Sequence, residues 1–318
     1  MNSSQTLTRN DIEFDSHGDT VRAWHFPPAS DALTSGAGAP LVVMGHGLGL
    51  TRDCGLEPYA KAFTAAGCHV MIMDYRGFGA SEGTPRQLVS ITREIQDYQS
   101  AIRTARTMDG VDPARIALWG TSYSGGVVVH VAAEDGNIAA VISQVPNLDN
   151  LATGLFIVTH SPPLRLLWLG WAIVRDFVGG LLGLKPYYVP GMGREGERAS
   201  YVSNESMDIF DRMAGPSFRN RFAPRDFLRF PPFRPITKVD KLPCRIQLMG
   251  CNDDKLTPIG PTLKAARIAG ARGELHRYPG GHFGIYVDEV QQDALVKQAG
   301  FLAQELAPAE VVQQAIAS

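Results

Sequence analysis

Residues 115–126 read Arg-Ile-Ala-Leu-Trp-Gly-Thr-Ser-Tyr-Ser-Gly-Gly. A strand-forming run, Arg115–Trp119, passes into a turn of small residues. The stretch beyond, with Val127, Val128 and Val131 on one face, spaces as a helix. A serine on so sharp a strand-to-helix turn is held out at the C-terminal edge of a sheet, and small residues two before and two after it leave room for the bend. The following helix aims its first amides and its dipole at negative charge developing there. Two serines fit this pattern. Ser122 has Gly120 at the strand end, whereas Ser124, in Ser122-x-Ser124-x-Gly126, would stand half a turn into the helix. The spacing favours Ser122 as the nucleophile.

Working outward, the chain alternates short apolar runs with helical stretches. Strand-like runs lie at 11–15, 21–26, 41–44, 69–73 and 139–145, and helical patterns at 57–66 and 91–107. Leu41-Val42-Val43-Met44 is apolar on both faces, as a strand buried on both sides must be. Such alternation predicts an α/β fold with a mostly parallel sheet and helices on both faces, since parallel strands need crossover helices. The alternation stops at Pro146 and resumes with a buried strand at 245–249, a helix at 261–269, a strand at 274–278 and a closing helix at 290–306. Between them, residues 147–243 hold helical patches, many arginines and six prolines from Pro216 to Pro243. The expected organisation is a core domain, 1–146 and 244–318, with a helical cap, 147–243, inserted before the last two strands.

A nucleophilic serine needs a base, and a histidine base needs a carboxylate to hold its tautomer. The loops after the last two strands supply both, as Cys251-Asn252-Asp253-Asp254-Lys255 and Pro279-Gly280-Gly281-His282. The order serine, aspartate, histidine belongs to one fold family. The turn Gly45-His46-Gly47-Leu48-Gly49 follows an earlier strand, and by position the backbone N–H groups of Leu48 and Tyr123 would hold an oxyanion. Asp74–Ser81 reads as a structural loop beside the site.

These four motifs, in this order, resemble the α/β-hydrolase superfamily through 1–146 and 244–318. Asp74–Arg86 and Leu118–Gly126 are similar to a branch of bacterial hydrolases near the dienelactone-hydrolase and esterase types. The resemblance implies Ser122 as nucleophile, His282 as base and an aspartate between them, with oxyanion amides on Leu48 and Tyr123. In such families the acid commonly stands four residues before a proline, which Asp254 does relative to Pro258 and Asp253 does not. The expected activity is that of a serine hydrolase cleaving carboxylic esters or thioesters, with an acyltransferase, a C–C bond hydrolase or a non-catalytic receptor as alternatives on the same fold.

Composition narrows the rest. With 30 Lys+Arg against 32 Asp+Glu the chain lacks the basic excess of a nucleic-acid binder. Met1–Phe14 carries no apolar core of a secretory signal, and the greasy zone 164–184 is broken by Arg165, Arg175 and Asp176. Cys54, Cys68, Cys244 and Cys251 have no metal-site spacing and read as reduced thiols. The expectation is a cytoplasmic esterase with no metal or organic cofactor, a small-molecule ester as substrate, no nucleic-acid partner and no integral membrane association. Nothing in the sequence bears on its oligomeric state. The cap holds 13 Lys/Arg and 9 Asp/Glu. Its Phe156, Trp168, Trp171, Phe177, Tyr187, Tyr188, Phe218, Phe222 and Phe227 are candidates to wall an acyl pocket.

Overall fold

Strands β1 (Asn10–Ser16) and β2 (Asp19–Phe26) form an antiparallel hairpin, and β3 (Ala39–Gly45) follows, with every residue buried. Then come α1 (Glu57–Ala65), β4 (His69–Met73), α2 (Ile91–Ala105), β5 (Val111–Thr121), α3 (Tyr123–Asp135) and β6 (Ala140–Gln144). The segment up to the next sheet strand carries α4 (Asn150–His160), α5 (Pro163–Leu181), the short strands β7 (Met192–Gly193) and β8 (Tyr201–Val202), and α6 (Asn204–Met213). The sheet resumes with β9 (Arg245–Cys251), α7 (Ile259–Ala269), β10 (Gly273–Tyr278) and α8 (Asp288–Glu305). This computed structural model describes residues 8–308; the outermost ends of the expected core domain lie outside the described residues.

The eight main strands form one sheet in the order β1-β2-β4-β3-β5-β6-β9-β10, parallel from β4 to β10. Side chains alternate between two cores. Leu41, Val43, Met71, Met73, Ile116 and Leu118 face one, and Val42, Met44, Val70, Ile72, Ala117 and Trp119 face the other. A sheet covered on both faces explains why these strands read as continuous apolar runs. Strand β5 starts earlier than its apolar run implies, because Ala39 pairs with Val111 across a bulge before Leu41 pairs with Ile116.

Strand order reverses at β3. The chain leaves β3 toward β4 and returns through α2 to β5 on its other side, so loops after β3 and β5 part company there. Ligands of open α/β sheets bind at such a switch point. Register sharpens it: Gly45 pairs with Gly120, and Thr121 with Gln144. The turns that follow β3 and β5 therefore begin at one height.

At the antiparallel edge, His25 on β2 stacks on His69 of β4, with Nε2 to Nδ1 at 2.9 Å. His69 Nε2 lies 3.3 Å from the Gly110 carbonyl, so its proton sits there and Nδ1 accepts from His25. Burial, and then the neighbouring His69, push His25 down from 6.5 to about 4. The native pair stays neutral where the unfolded chain takes up a proton. Its contribution to stability is complete above pH 6.5 and is lost as the pH falls toward 4. The expected outcome is a Tm that declines across that window and declines less in His25→Gln, followed by circular dichroism at constant ionic strength. Equal slopes would assign the acid sensitivity elsewhere.

Candidate active site

Ser122 sits between β5 and α3 with φ 58° and ψ −118°, a conformation that non-glycine residues avoid. Its N–H donates to the Gln144 carbonyl at 2.8 Å, and its own carbonyl accepts from Asn147 N–H at 2.9 Å. Close approach explains the flanking glycines. A Cβ on Gly120 would overlap the Ser124 carbonyl, and one on Gly126 the Asn147 carbonyl. Ser122 is half-exposed and faces an apolar cavity, whereas Ser124 is fully buried. Ser124 Oγ lies 2.5 Å from the Tyr75 hydroxyl and donates to the His46 carbonyl. The two candidate serines thus separate: one opens on the cavity, the other braces the turn.

The loops after β9 and β10 bring Asp254 and His282 together, with Nδ1 to Oδ2 at 2.6 Å, both buried. Asp253 is exposed. Asp254 is held by its other oxygen, Oδ1, which accepts the N–H groups of Leu256 and Thr257 at 2.8 Å each, an Asx turn. The Thr257 hydroxyl contacts Asp254 Oδ2 at 2.8 Å, the Val145 carbonyl at 2.9 Å and His282 Nδ1 at 3.2 Å. Sequence reading passed over Thr257; its signal was the pattern Asp-x-x-Thr-Pro, in which an aspartate folds back on the next turn. His282, like Ser122, lines the cavity.

Leu48 and Tyr123 also line that cavity. The Tyr123 N–H opens α3 and has no intrahelical acceptor. The loop bearing Leu48 is fixed from two sides. On one, Ser124 grips the His46 carbonyl. On the other, Asp74 accepts from the N–H groups of Arg52 at 2.8 Å and Ala80 at 3.0 Å, so the 74–81 loop supports the site from outside the cavity. His46 is fully buried, with Nδ1 at 2.9 Å from the Gly47 carbonyl, and burial lowers its pKa, leaving it neutral. Among the described residues no group of three or more His, Cys, Asp or Glu is placed to ligate a metal. Burial pushes the Cys68, Cys244 and Cys251 thiols up to about 12, away from thiolate chemistry.

The cavity encloses about 340 Å³. Its floor is the elbow and the His282 loop, and its roof comes from α4, α5 and the chain near 218–231. Of the aromatic residues expected as walls, Phe218, Phe222 and Phe227 reach it, joined by Phe230, which sequence reading omitted and which stacks on Tyr123. Phe156, Trp168, Trp171, Phe177, Tyr187 and Tyr188 do not line it. Trp171 instead stands on the outer face of α5, 53% exposed.

An eight-stranded sheet in this order, with a serine on the elbow after β5 and an Asp–His pair on the last two strand ends, is the plan of the α/β hydrolases. The chain belongs to that superfamily. Residues 38–175 match the family model described as serine aminopeptidase, S33. The chain is 34% identical over 294 residues to the quorum-quenching protein AidA of Acinetobacter baumannii (strain MDR-ZJ06), covering 92% of this chain and 93% of that one. It is 26% identical over 280 residues to the thiohydrolase aneE of Aspergillus aculeatus, covering 85% and 87%. The crystal structure of the α/β hydrolase GrgF from Penicillium sp. sh18 matches with a TM-score of 0.78 at 25% identity, over 94% of this chain and 99% of that one. Among the described residues no helix is long and apolar enough to cross a membrane.

Removing the Ser124 hydroxyl leaves the buried His46 carbonyl without its donor. The expected cost of Ser124→Ala is about 1–3 kcal/mol, read as a Tm lowered by several degrees. Fluorophosphonate labelling should persist, with the adduct on Ser122 by mass spectrometry; an adduct on Ser124 in the native protein would reverse the assignment.

Proposed function

We propose that the protein is a serine hydrolase that cleaves carboxylic esters or thioesters of small to medium acyl or aryl groups through an acyl-enzyme. The observation that carries this reading is the pairing of His282 with buried Asp254 at 2.6 Å on the rim of an apolar cavity that Ser122 also faces. Ser122 Oγ attacks the carbonyl carbon while His282 Nε2 takes its proton. Asp254 accepts the Nδ1 hydrogen, which fixes the tautomer and stabilises the imidazolium. The Leu48 and Tyr123 amides hold the tetrahedral oxyanion, His282 returns the proton to the leaving alcohol or thiol, and water repeats the sequence to free the acid. The thiohydrolase among its relatives supports including thioesters. Four unpaired thiols suit a reducing compartment such as the cytoplasm.

In this reading residues 147–243 are a cap over the core formed by 1–146 and 244–318. Asn150 and Thr153 from α4, Ile173 from α5, and Phe222 and Phe227 close the cavity from above. A site shielded from bulk water strengthens each oxyanion hydrogen bond beneath it. Arg221, at the rim, stacks on Tyr188 at 4.6 Å rather than meeting a carboxylate, which suits substrates that carry one.

Two measurements test the proposal. Ser122→Ala should abolish turnover and covalent labelling. Asp254→Asn should lower kcat by about 10⁴, the order found for triad aspartates in serine proteases, with Asp253→Asn close to native. Reversed losses at the two aspartates would overturn the triad as drawn.

A p-nitrophenyl ester series tests the pocket. Each buried methylene is worth about 0.8 kcal/mol, so two more should raise kcat/KM about tenfold until the cavity is full. Beyond that length activity should fall sharply. An added alcohol or amine that outcompetes water for the acyl group would make the enzyme an acyltransferase, and a steady decline from acetate would mean the cavity is not the acyl site.

A further inference from the structure

Helix α5 turns a row of apolar side chains to solvent. Leu164, Leu167, Trp171, Val174, Val178 and Leu181 are each 45–81% exposed. Their spacing alternates three and four residues along the whole helix, which is the seam of a coiled coil. The other side of the helix is occupied: Ala172 and Asp176 are buried, Asp176 is held by Arg225, and Ile173 reaches the cavity. Single exposed leucines are ordinary, but a contiguous apolar row of this length marks an interface.

We propose that two copies of the chain associate through this face, α5 against α5, antiparallel about a two-fold axis passing between Trp171 and Val174. Three features favour a second copy as the occupant. A three-and-four seam is matched by another helix. The row is also self-complementary on reversal, as a two-fold contact requires. Reversal sets Leu164 against the partner's Leu181, Leu167 against the partner's Val178, and bulky Trp171 against the smaller Val174 of the partner subunit. Finally, the six side chains offer roughly 700 Å² per copy, close to the roughly 800 Å² per partner of a stable interface.

The consequence reaches the site. Resting on the reading of the cavity as the acyl pocket, a contact along α5 braces the roof, because α4 and α5 supply Asn150, Thr153 and Ile173 to it. The contact itself does not require that reading, and Ser122→Ala should associate as the native protein does.

Sedimentation velocity of the full chain from low to high micromolar concentration gives the test. The native protein should sediment as a dimer. Leu167→Glu combined with Val174→Glu should halve the sedimenting mass while circular dichroism stays native. The double variant Leu167→Cys with Val178→Cys should form an intermolecular disulfide on oxidation, and Leu167→Cys alone should not. The four native thiols remain in all variants, and the native chain serves as the cross-linking control. A native monomer throughout the range overturns the proposal, as does a dimer indifferent to the two glutamates. Cross-linking by Leu167→Cys alone overturns the antiparallel arrangement. A native monomer that floats with phosphatidylcholine vesicles would assign the row to a lipid surface instead.

Discussion

The backbone of Ser122 is bent into a conformation that costs about 1–3 kcal/mol for a residue with a side chain, and the surrounding structure is arranged to hold it there. Strand β5 is clamped between β3 and β6, so the elbow cannot relax by sliding. The Ser122 N–H and carbonyl are both engaged, by Gln144 and Asn147. Gly120 and Gly126 let backbone pass where any Cβ would collide. From that one bend follow the outward-facing hydroxyl, the unused Tyr123 amide and the direction of α3. The cavity, the loops around it and the polar contacts below it are all placed relative to that hydroxyl.

Those polar contacts are buried and mutually satisfied, which is what lets them fix positions instead of costing stability. Ser124 ties α3 to the loop that bears Leu48. Thr257 ties the Asp254 turn to the end of β6 through the Val145 carbonyl. Deeper, Gln298 of α8 accepts from Trp119 Nε1 at 2.7 Å and donates to Gln144 at 2.7 Å, so the last helix is pinned to β5 and β6 directly under the elbow. Each of these links joins residues from distant parts of the chain, and each holds a strand end whose loop faces the cavity.

The segment between β6 and β9 follows a different logic. It is tied to itself by ion pairs, Asp149, which caps α4, meeting Arg234 at 2.8 Å and Asp176 meeting Arg225 at 2.9 Å, while Val189, Phe222, Ile236 and Phe210 join the apolar cores on the two faces of the sheet. Its apolar residues divide three ways, into the cavity, against the sheet domain and out to solvent. Their composition was visible from the start, and the division was not. Trp171 and Phe222 are both aromatic residues of the same segment, yet one stands on the surface and the other walls the pocket.

What the sequence by itself determined was local and periodic. Apolar runs on both faces named the parallel strands, and the glycine spacing around Ser122 named the elbow. The order of serine, aspartate and histidine along the chain, each after a strand, named the superfamily. These follow because hydrophobic period and backbone sterics act over a few residues. The tertiary structure decided the rest. Which of two adjacent aspartates meets His282 depends on an Asx turn closed by Thr257. Which of two serines opens on the cavity depends on Tyr75, far away in sequence. Which side of α5 meets water depends on where its ends are tethered, since an amphipathic period shows that a helix has two faces and leaves the protein's packing to choose between them.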